Sequence, residues 1–250
     1  MAQTKENIPV PLLEGPAFAT THWSVILTAG GADSLQAAEA LERLCGTYWY
    51  PVYAFVRRRG YGADNAQDLT QDFFAQLLAR HRLHVADPSR GRFRDFLLAC
   101  LRNFLSNEWD KVRAAKRGGG QPAIPFDELH ARQRYALDAD ATASPDALYD
   151  RSWALTLLEQ VRVRLRDEFT RAAKSDRFEW LQRFLPGEQS EVSHAELGQK
   201  VGLTASALRS EIYRFRQRYR DLLRHEIAQT VQHGEEIDDE IRYLIAVLSH

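Results

Sequence analysis

Cysteine is scarce in this sequence, which has only Cys45 and Cys100 among its 250 residues. Each lies inside an apolar pattern of helical spacing, so we expect buried reduced thiols rather than disulfides or a metal knuckle. Long hydrophobic runs are also missing, since no apolar stretch approaches the roughly 20 residues that a membrane helix needs. The N-terminal segment MAQTKENIPVPLLEGP has neither a basic start nor an apolar run typical of a secretion signal. These absences predict a cytoplasmic protein with no membrane partner.

Recognisable catalytic motifs are absent too. The sequence contains no Gly-rich phosphate loop in a strand context, no nucleophile elbow and no HExxH. His81 and His84, three residues apart, could bind a metal together with Asp87, but no further ligand follows at a recognisable spacing. We therefore interpret these histidines as surface residues, and we expect neither an enzyme nor a cofactor.

Net charge is nearly zero, because 33 basic residues almost balance 34 acidic ones. The charges are nevertheless segregated along the chain, and a polyanionic partner responds to the local field. The segment 204–224 contains six arginines and only two acidic residues, and the segment 102–118 contains five basic residues and two acidic ones. Acidic stretches at 127–150 and after His233 offset them. The two basic stretches indicate nucleic-acid-binding surfaces.

Hydrophobic residues recur at spacings of three and four in almost every periodic segment, which predicts an all-α fold. A helix beginning at residue 33 or 34 is expected to be kinked or broken at Pro51. Glycines and prolines at 118–147 indicate a flexible linker between two helical domains. The predicted organisation is an N-terminal extension, a first domain, the linker, a second domain and an acidic tail, at 1–32, 33–117, 118–147, 148–230 and 231–250.

Residues 193–223 have the layout of a helix-turn-helix, with a turn at Gly202 and a second helix capped by Thr204. Small Gly198 is expected where the two helices approach closely. A buried stripe is predicted from the spacing of Leu208, Ile212, Phe215, Tyr219 and Leu222. Candidate contacts to duplex DNA are Thr204, Ser206, Arg209, Ser210, Tyr213 and Arg216. Among them, Arg209 is predicted to read a base edge in the major groove.

The other basic stretch, GRFRDFLLACLRNFLSNEWDKVRAAKR at 91–117, interleaves aromatic and cationic residues. This mixture suits single-stranded or partly melted nucleic acid, because bases stack on rings while basic residues follow the backbone. Phe96 and Phe104 lie on the apolar stripe and are predicted to be core residues. Candidate contacts outside the stripe are Arg92, Arg102, Asn103, Trp109, Lys111 and Arg113. For Trp109, packing and base stacking are equally compatible with the pattern.

Taken together, these segments resemble bacterial RNA polymerase sigma factors of the compact extracytoplasmic-function (ECF) type, over roughly residues 20–230. The motif D-x-A-x-D-L-x-Q-[DE]-x-F is matched by Asp64, Ala66, Asp68, Leu69, Gln71, Asp72 and Phe74. The helix from Phe93 resembles the promoter-melting helix of that family, and the helix-turn-helix resembles its C-terminal domain. The resemblance implies a sigma region 2-like helical bundle and a sigma region 4-like domain joined by the linker.

The resemblance also implies two partners, core RNA polymerase and promoter DNA. Asp68, Gln71 and Asp72 would bind the polymerase, and loop 81–93 with the helix after it would bind the minus-ten box and help to melt the duplex. The helix from Thr204 would bind the minus-thirty-five box. An anti-sigma factor and a regulatory kinase are further candidate partners. Thr70, beside the acidic face, would be a phosphosite that gains about −1.5 to −2 of charge.

Two alternatives stay open at this point. A helix-turn-helix transcriptional regulator that never binds polymerase would share the second domain, although it would not need the acidic face. The C-terminal tail carries Ile237, Ile241, Leu244, Ile245 and Leu248 at helical spacing, so we expect it to dock on the body of the protein. Its docking could be simple packing, or it could cover a basic helix and so inhibit the protein.

Overall fold

The computed structural model describes residues 35–79, 92–114, 131–135, 143–186, 194–231 and 233–249. Within these ranges, the side chains of 35–45, 78–79, 109–114 and 194–195 lie outside the description. All regular secondary structure in the described part is helical, which confirms the all-α prediction. None of the described helices is long and apolar enough to cross a membrane. The N-terminal extension, His81 and His84 lie outside the described residues.

The helices are α1 Leu35–Arg58, α2 Ala63–Ala79, α3 Phe93–Ala114, α4 Pro145–Arg171, α5 Ser175–Leu181, a 3₁₀ turn Gln182–Phe184, α6 His194–Val201, α7 Ala205–Ala228 and α8 Glu236–Leu248. Residues 131–135 add a short helical segment. Helix starts follow local capping chemistry where the sequence offers it. The Ser144 and Thr204 side chains accept hydrogen bonds from backbone amides three residues later, and thereby cap α4 and α7.

Helix α1 continues through Pro51, so a break at that residue was a wrong prediction. A proline inside a helix removes one backbone hydrogen bond and costs about 3 kcal/mol. Residues 48–50 and 52–56, however, are all buried on both sides of it. Each large apolar side chain among them gains about 1.5–3 kcal/mol on burial. Packing of the flanking residues therefore outweighs the local cost.

The core consists of two hydrophobic clusters that share helix α4. Leu148, Trp153 and Leu157 belong to the first cluster, with residues of α1, α2, α3 and α8. Val161 and Leu165, further along α4, belong to the second cluster, with residues of α5, α6 and α7. Because one continuous helix serves both clusters, the division into two domains stays a prediction.

Part of the predicted linker packs on the first cluster. In the segment 131–135, Ala131 is buried, and the Arg134 guanidinium lies 3.8 Å from the centroid of the Tyr50 ring. Arg134 also donates a hydrogen bond to Thr156 Oγ1 of α4, at 3.1 Å. This stretch of the linker is thus ordered against α1 and α4 rather than a solvated coil.

The C-terminal helix α8 docks on the first cluster, as predicted. Leu244 is buried, and Ile237, Ile241 and Leu248 pack against the cluster. Ile245, in contrast, is 57% exposed, so its place in the docking stripe was wrong. Successive helical residues are rotated by about 100°, which carries Ile245 away from the buried Leu244.

Candidate nucleic-acid interface

Helices α6 and α7 are joined by a tight turn that depends on two glycines. Gly202 has a φ of +69°, a left-handed conformation that glycine adopts without strain. A Cβ atom on Gly198 would lie 2.9 Å from the Leu203 carbonyl oxygen, which is closer than real Cβ contacts. The Leu203 amide donates a hydrogen bond to the Gly198 carbonyl at 2.9 Å. Gly198 thus has a close contact, but with the turn backbone rather than with α7, whose Leu208 side chain lies 3.9 Å from the Cβ position.

Helix α7 has one buried face and one exposed face. All five residues of the predicted stripe are buried. On the exposed face, Ser206, Arg209 and Ser210 are open to solvent, and Tyr213 is 67% exposed although it is a large aromatic residue. The N-terminal half of α7 therefore presents hydroxyl, guanidinium and aromatic groups together, which are groups that contact base edges and phosphates.

The arginines of α7 differ in their partners. Arg209 makes no hydrogen bond or ion pair with any residue in the described ranges. Arg216 is exposed but uses its Nε to donate to the Phe184 carbonyl oxygen at 2.8 Å, which fixes α7 to the 3₁₀ turn. Arg214 pairs with Glu211 at 2.8 Å, and Arg177 of α5 lies 3.6 Å from the same carboxylate. The acidic charge of Glu211 is thereby offset beside the exposed face.

The acidic face of α2 is exposed where the sequence predicts polymerase contacts. Asp68 and Asp72 are exposed, and Gln71 is half-buried. Thr70 does not share that face, because it is fully buried and its Oγ1 donates to the Ala66 carbonyl oxygen at 2.7 Å. A kinase would have to open this helix to reach the hydroxyl. The folded structure therefore argues against Thr70 as a phosphosite.

Two of the six candidate contacts at α3 are engaged within the protein. Arg92 Nη1 lies 2.7 Å from Glu240 Oε2 of α8, and Arg102 Nη2 lies 2.7 Å from Asp146 Oδ2 of α4. Asn103 is exposed. Two core predictions fit, since Phe104 is buried and Phe96 packs partly buried against the cluster. Trp109, Lys111 and Arg113 belong to the helix, but their side chains lie outside the described part.

A buried polar cluster joins α3, α4 and α8 at Arg94. The Arg94 Nε donates to Glu240 Oε1 at 2.8 Å, and its Nη1 donates to Asp150 Oδ1 at 2.9 Å. Tyr243 donates its hydroxyl hydrogen to Asp150 Oδ2 at 2.6 Å, and its ring centroid lies 3.9 Å from the Arg94 guanidinium carbon. The Glu240 side chain is 1% exposed. Helix α8 is thus held by charge as well as by apolar packing.

The protonation behaviour of this cluster follows from its burial and its charges. Burial opposes the charge on Arg94, but the attraction and hydrogen bond of Glu240, together with the charges of Asp95 and Asp150, outweigh it and raise the pKa of Arg94. Burial raises the pKa of Asp150 against the opposing effects of Tyr243 and Arg94. Burial, followed by the bond to Asp150, raises the pKa of Tyr243 to about 12. The guanidinium therefore stays charged across the physiological range.

The sequence reasoning missed Arg94 and Glu240, although both interrupt apolar stripes. Arg94 lies four and seven residues before Leu98 and Leu101, which are buried. Glu240 lies three residues after Ile237 and four before Leu244. An isolated charge inside a helical apolar stripe indicates a buried ion pair, because an unpaired charge would be too costly to bury.

The described structure is therefore all-α and carries a helix-turn-helix arrangement in α6, the turn and α7. No family model, no curated protein and no solved structure matches the chain. Within the described residues, no three His, Cys, Asp or Glu side chains cluster in a way that could hold a metal ion. A functional assignment consequently depends on the sequence and on the geometry of these surfaces.

Proposed function

We propose that this chain is a sigma factor, which directs core RNA polymerase to promoters and helps to melt their DNA. In this proposal α7 binds the duplex minus-thirty-five box and α3 binds the minus-ten box. The acidic face of α2 binds the polymerase. The protein works in the cytoplasm and needs no cofactor of its own.

The observation that carries the proposal is the exposed face of α7. A helix in a helix-turn-helix can enter the major groove only if one face is anchored by the core while the other is free of packing. Ser206, Arg209 and Tyr213 meet that condition, with the buried stripe opposite them. A helix that only packs in a bundle would not need to expose Tyr213 beside Arg209, which has no partner in the described ranges.

The exposed acids of α2 support the polymerase contact. Asp68 and Asp72 are four residues apart and therefore lie on the same face of α2. An exposed patch of one charge steers association with a patch of the opposite charge and adds specificity. The buried residues Ala66, Phe73 and Phe74 hold this face outward.

The test is run-off transcription with purified core RNA polymerase, together with co-purification of the two proteins. We expect the wild-type chain to bind the polymerase and to support initiation at selected promoters. The double variant Asp68→Asn/Asp72→Asn should bind the polymerase less tightly, and the loss should be greater at low salt. The matched control is Asp167→Asn/Asp176→Asn, which removes two exposed acids from α4 and α5. Equal binding by both double variants would contradict the proposed contact.

A second candidate function is a helix-turn-helix regulator that does not bind polymerase. The observation that favours it is the pairing of Arg92 and Arg102 with carboxylates of the same chain, since a regulator needs no free basic surface on α3. Tight binding to a duplex by the chain alone, without co-purification with core polymerase, would support this function instead.

A further inference from the structure

Two carboxylates from later parts of the chain form ion pairs with Arg92, just before α3, and with Arg102 inside it. Arg92 precedes the first residue of α3, and Arg102 lies ten residues further on, which is about 15 Å along a helix. Glu240 of α8 pairs with the first arginine, and Asp146 of α4 pairs with the second. Both acids therefore partly neutralise the cations that a polyanion would bind here.

The Glu240 contacts with the two arginines are of different kinds. The bond from Arg94 is a buried hydrogen bond of 2.8 Å to Oε1. Arg92 reaches Oε2 at 2.7 Å as an ion pair, yet its geometry does not meet that of a hydrogen bond, since Oε2 has no hydrogen-bond partner. The Arg92 side chain is also 26% exposed, against 6% for Arg94. Of the two arginines, Arg92 is thus the one that an outside ligand can reach.

Carboxylate and phosphate oxygens bind a guanidinium through the same donor groups. A nucleic-acid phosphate on Arg92 would bring a second anion beside the Glu240 carboxylate, and the repulsion between the two makes them compete for this guanidinium. Burial of the Glu240 charge is tolerated only because it is paired, so the docking of α8 depends on the cations of α3. A DNA strand that binds Arg92 therefore weakens one of the two ion pairs of the Glu240 carboxylate.

We propose that α8 is an internal competitor of single-stranded DNA, in which Glu240 occupies the position of a backbone phosphate at Arg92. The strand binds along the exposed edge of α3, at Arg92, Asn103 and Arg102, when the carboxylates are displaced. The inference rests on the proposed function in one respect, namely that α3 is the helix that meets opened DNA. It adds that the C-terminal helix controls access to this edge.

The test measures binding of a fluorescent poly(dT) strand of about 12 nucleotides to the full-length chain by anisotropy over a series of salt concentrations. We expect Glu240→Gln, which keeps the shape but removes the charge, to bind more tightly than the wild type. Its plot of log affinity against log salt should steepen by about 0.7 for each additional phosphate that the protein neutralises. Adding Arg92→Ala to Glu240→Gln should abolish the increase in affinity.

The matched control is Asp239→Asn, which removes the same charge from the neighbouring residue of α8. Asp239 is exposed and pairs with Arg242 of its own helix, so its loss leaves α3 untouched. An equal increase in affinity for Asp239→Asn and Glu240→Gln would show a general charge effect and would overturn the proposal. A Glu240→Gln variant that stays folded by circular dichroism without any increase in affinity would overturn it as well.

A second measurement uses the wild-type chain and keeps the proposal testable if Glu240→Gln does not fold. Saturation with the same strand should speed hydrogen exchange at the amides of α8, because the helix loses part of its docking. Unchanged protection of α8 in the presence of bound strand would overturn the proposal. Run-off transcription that persists while these assays fail would leave the proposed function intact.

Discussion

Glu168 of α4 and Arg218 of α7 are joined by two parallel hydrogen bonds, of 2.7 and 2.8 Å, between the carboxylate and the guanidinium. This bidentate pair joins α4, the helix that both clusters share, to α7. The bond from Arg218 lowers the pKa of Glu168, against the opposing effect of burial. The contact therefore depends on pH in a direction that can be tested.

A lowered carboxyl pKa stabilises the folded state above the unfolded value of about 4.3. That contribution is lost as the pH falls through the lower, folded-state value. Glu168→Gln should therefore reduce the free energy of unfolding at pH 7, by about 1 kcal/mol or less because the pair is partly exposed. Urea unfolding of both proteins at pH 7 and at pH 3 measures this difference. We expect it to shrink at pH 3, and a difference that is independent of pH would contradict the assignment.

Gly198→Ala should destabilise the helix-turn-helix. The new methyl group would meet the Leu203 carbonyl oxygen at 2.9 Å, and relief of that clash would shift the turn backbone. Overpacking of this kind costs about 1–3 kcal/mol. The control is Gly46→Ala in α1, where nothing lies within 4 Å and a glycine costs about 0.5–1 kcal/mol relative to alanine. Urea unfolding should show a loss for the first variant and a small gain for the second. Equal effects would mean that Gly198 is not a close contact.

Arg209→Ala should change the base preference of duplex binding. An arginine that contacts a base edge contributes about 1–3 kcal/mol of discrimination at one position. Arg220→Ala is the control, because Arg220 is exposed on the same helix eleven residues later, about 16 Å away. We expect the control to weaken binding uniformly at most, as phosphate contacts do. Selection of bound sequences from a random duplex pool checks both variants. An unchanged preference for Arg209→Ala would exclude it from base readout.

Arg94→Leu should destabilise the fold strongly, because it leaves the Glu240 charge buried without its main partner. Breaking one side of a buried pair costs about 3–5 kcal/mol. Arg102→Leu provides the comparison, since Arg102 and Asp146 are each about half exposed and such pairs contribute about 1 kcal/mol or less. Thermal unfolding should separate the two variants clearly. Similar losses would indicate that the Arg94 cluster is not closed to solvent.

Local periodicity predicted much of the helical structure. The stripe from Leu208 to Leu222 is buried as its spacing predicts, and Thr204 caps α7. The same reasoning could have placed Thr70 correctly, because it follows the buried Ala66 by four residues and precedes Phe73 and Phe74 by three and four. Because threonine is polar, Thr70 was predicted to lie beside the acidic face, although a threonine hydroxyl can donate to the backbone carbonyl one turn earlier.

Long-range pairings were beyond the reach of the sequence. Arg94 and Glu240 are 146 residues apart, and no local rule selects one partner for a charge within an apolar stripe. The same holds for Arg102 and Asp146, whose contact depends on how α3 and α4 pack. Whether Arg92 and Arg102 are open to DNA therefore depends on tertiary packing, which local sequence rules do not predict.

The sharing of α4 between the two clusters has a thermodynamic consequence. Unfolding of either cluster removes the apolar contacts of one half of α4, a continuous helix of 27 residues. Heat should therefore unfold both clusters in one transition, with equal calorimetric and van't Hoff enthalpies. A substitution that destabilises either cluster should then lower the melting temperature of both.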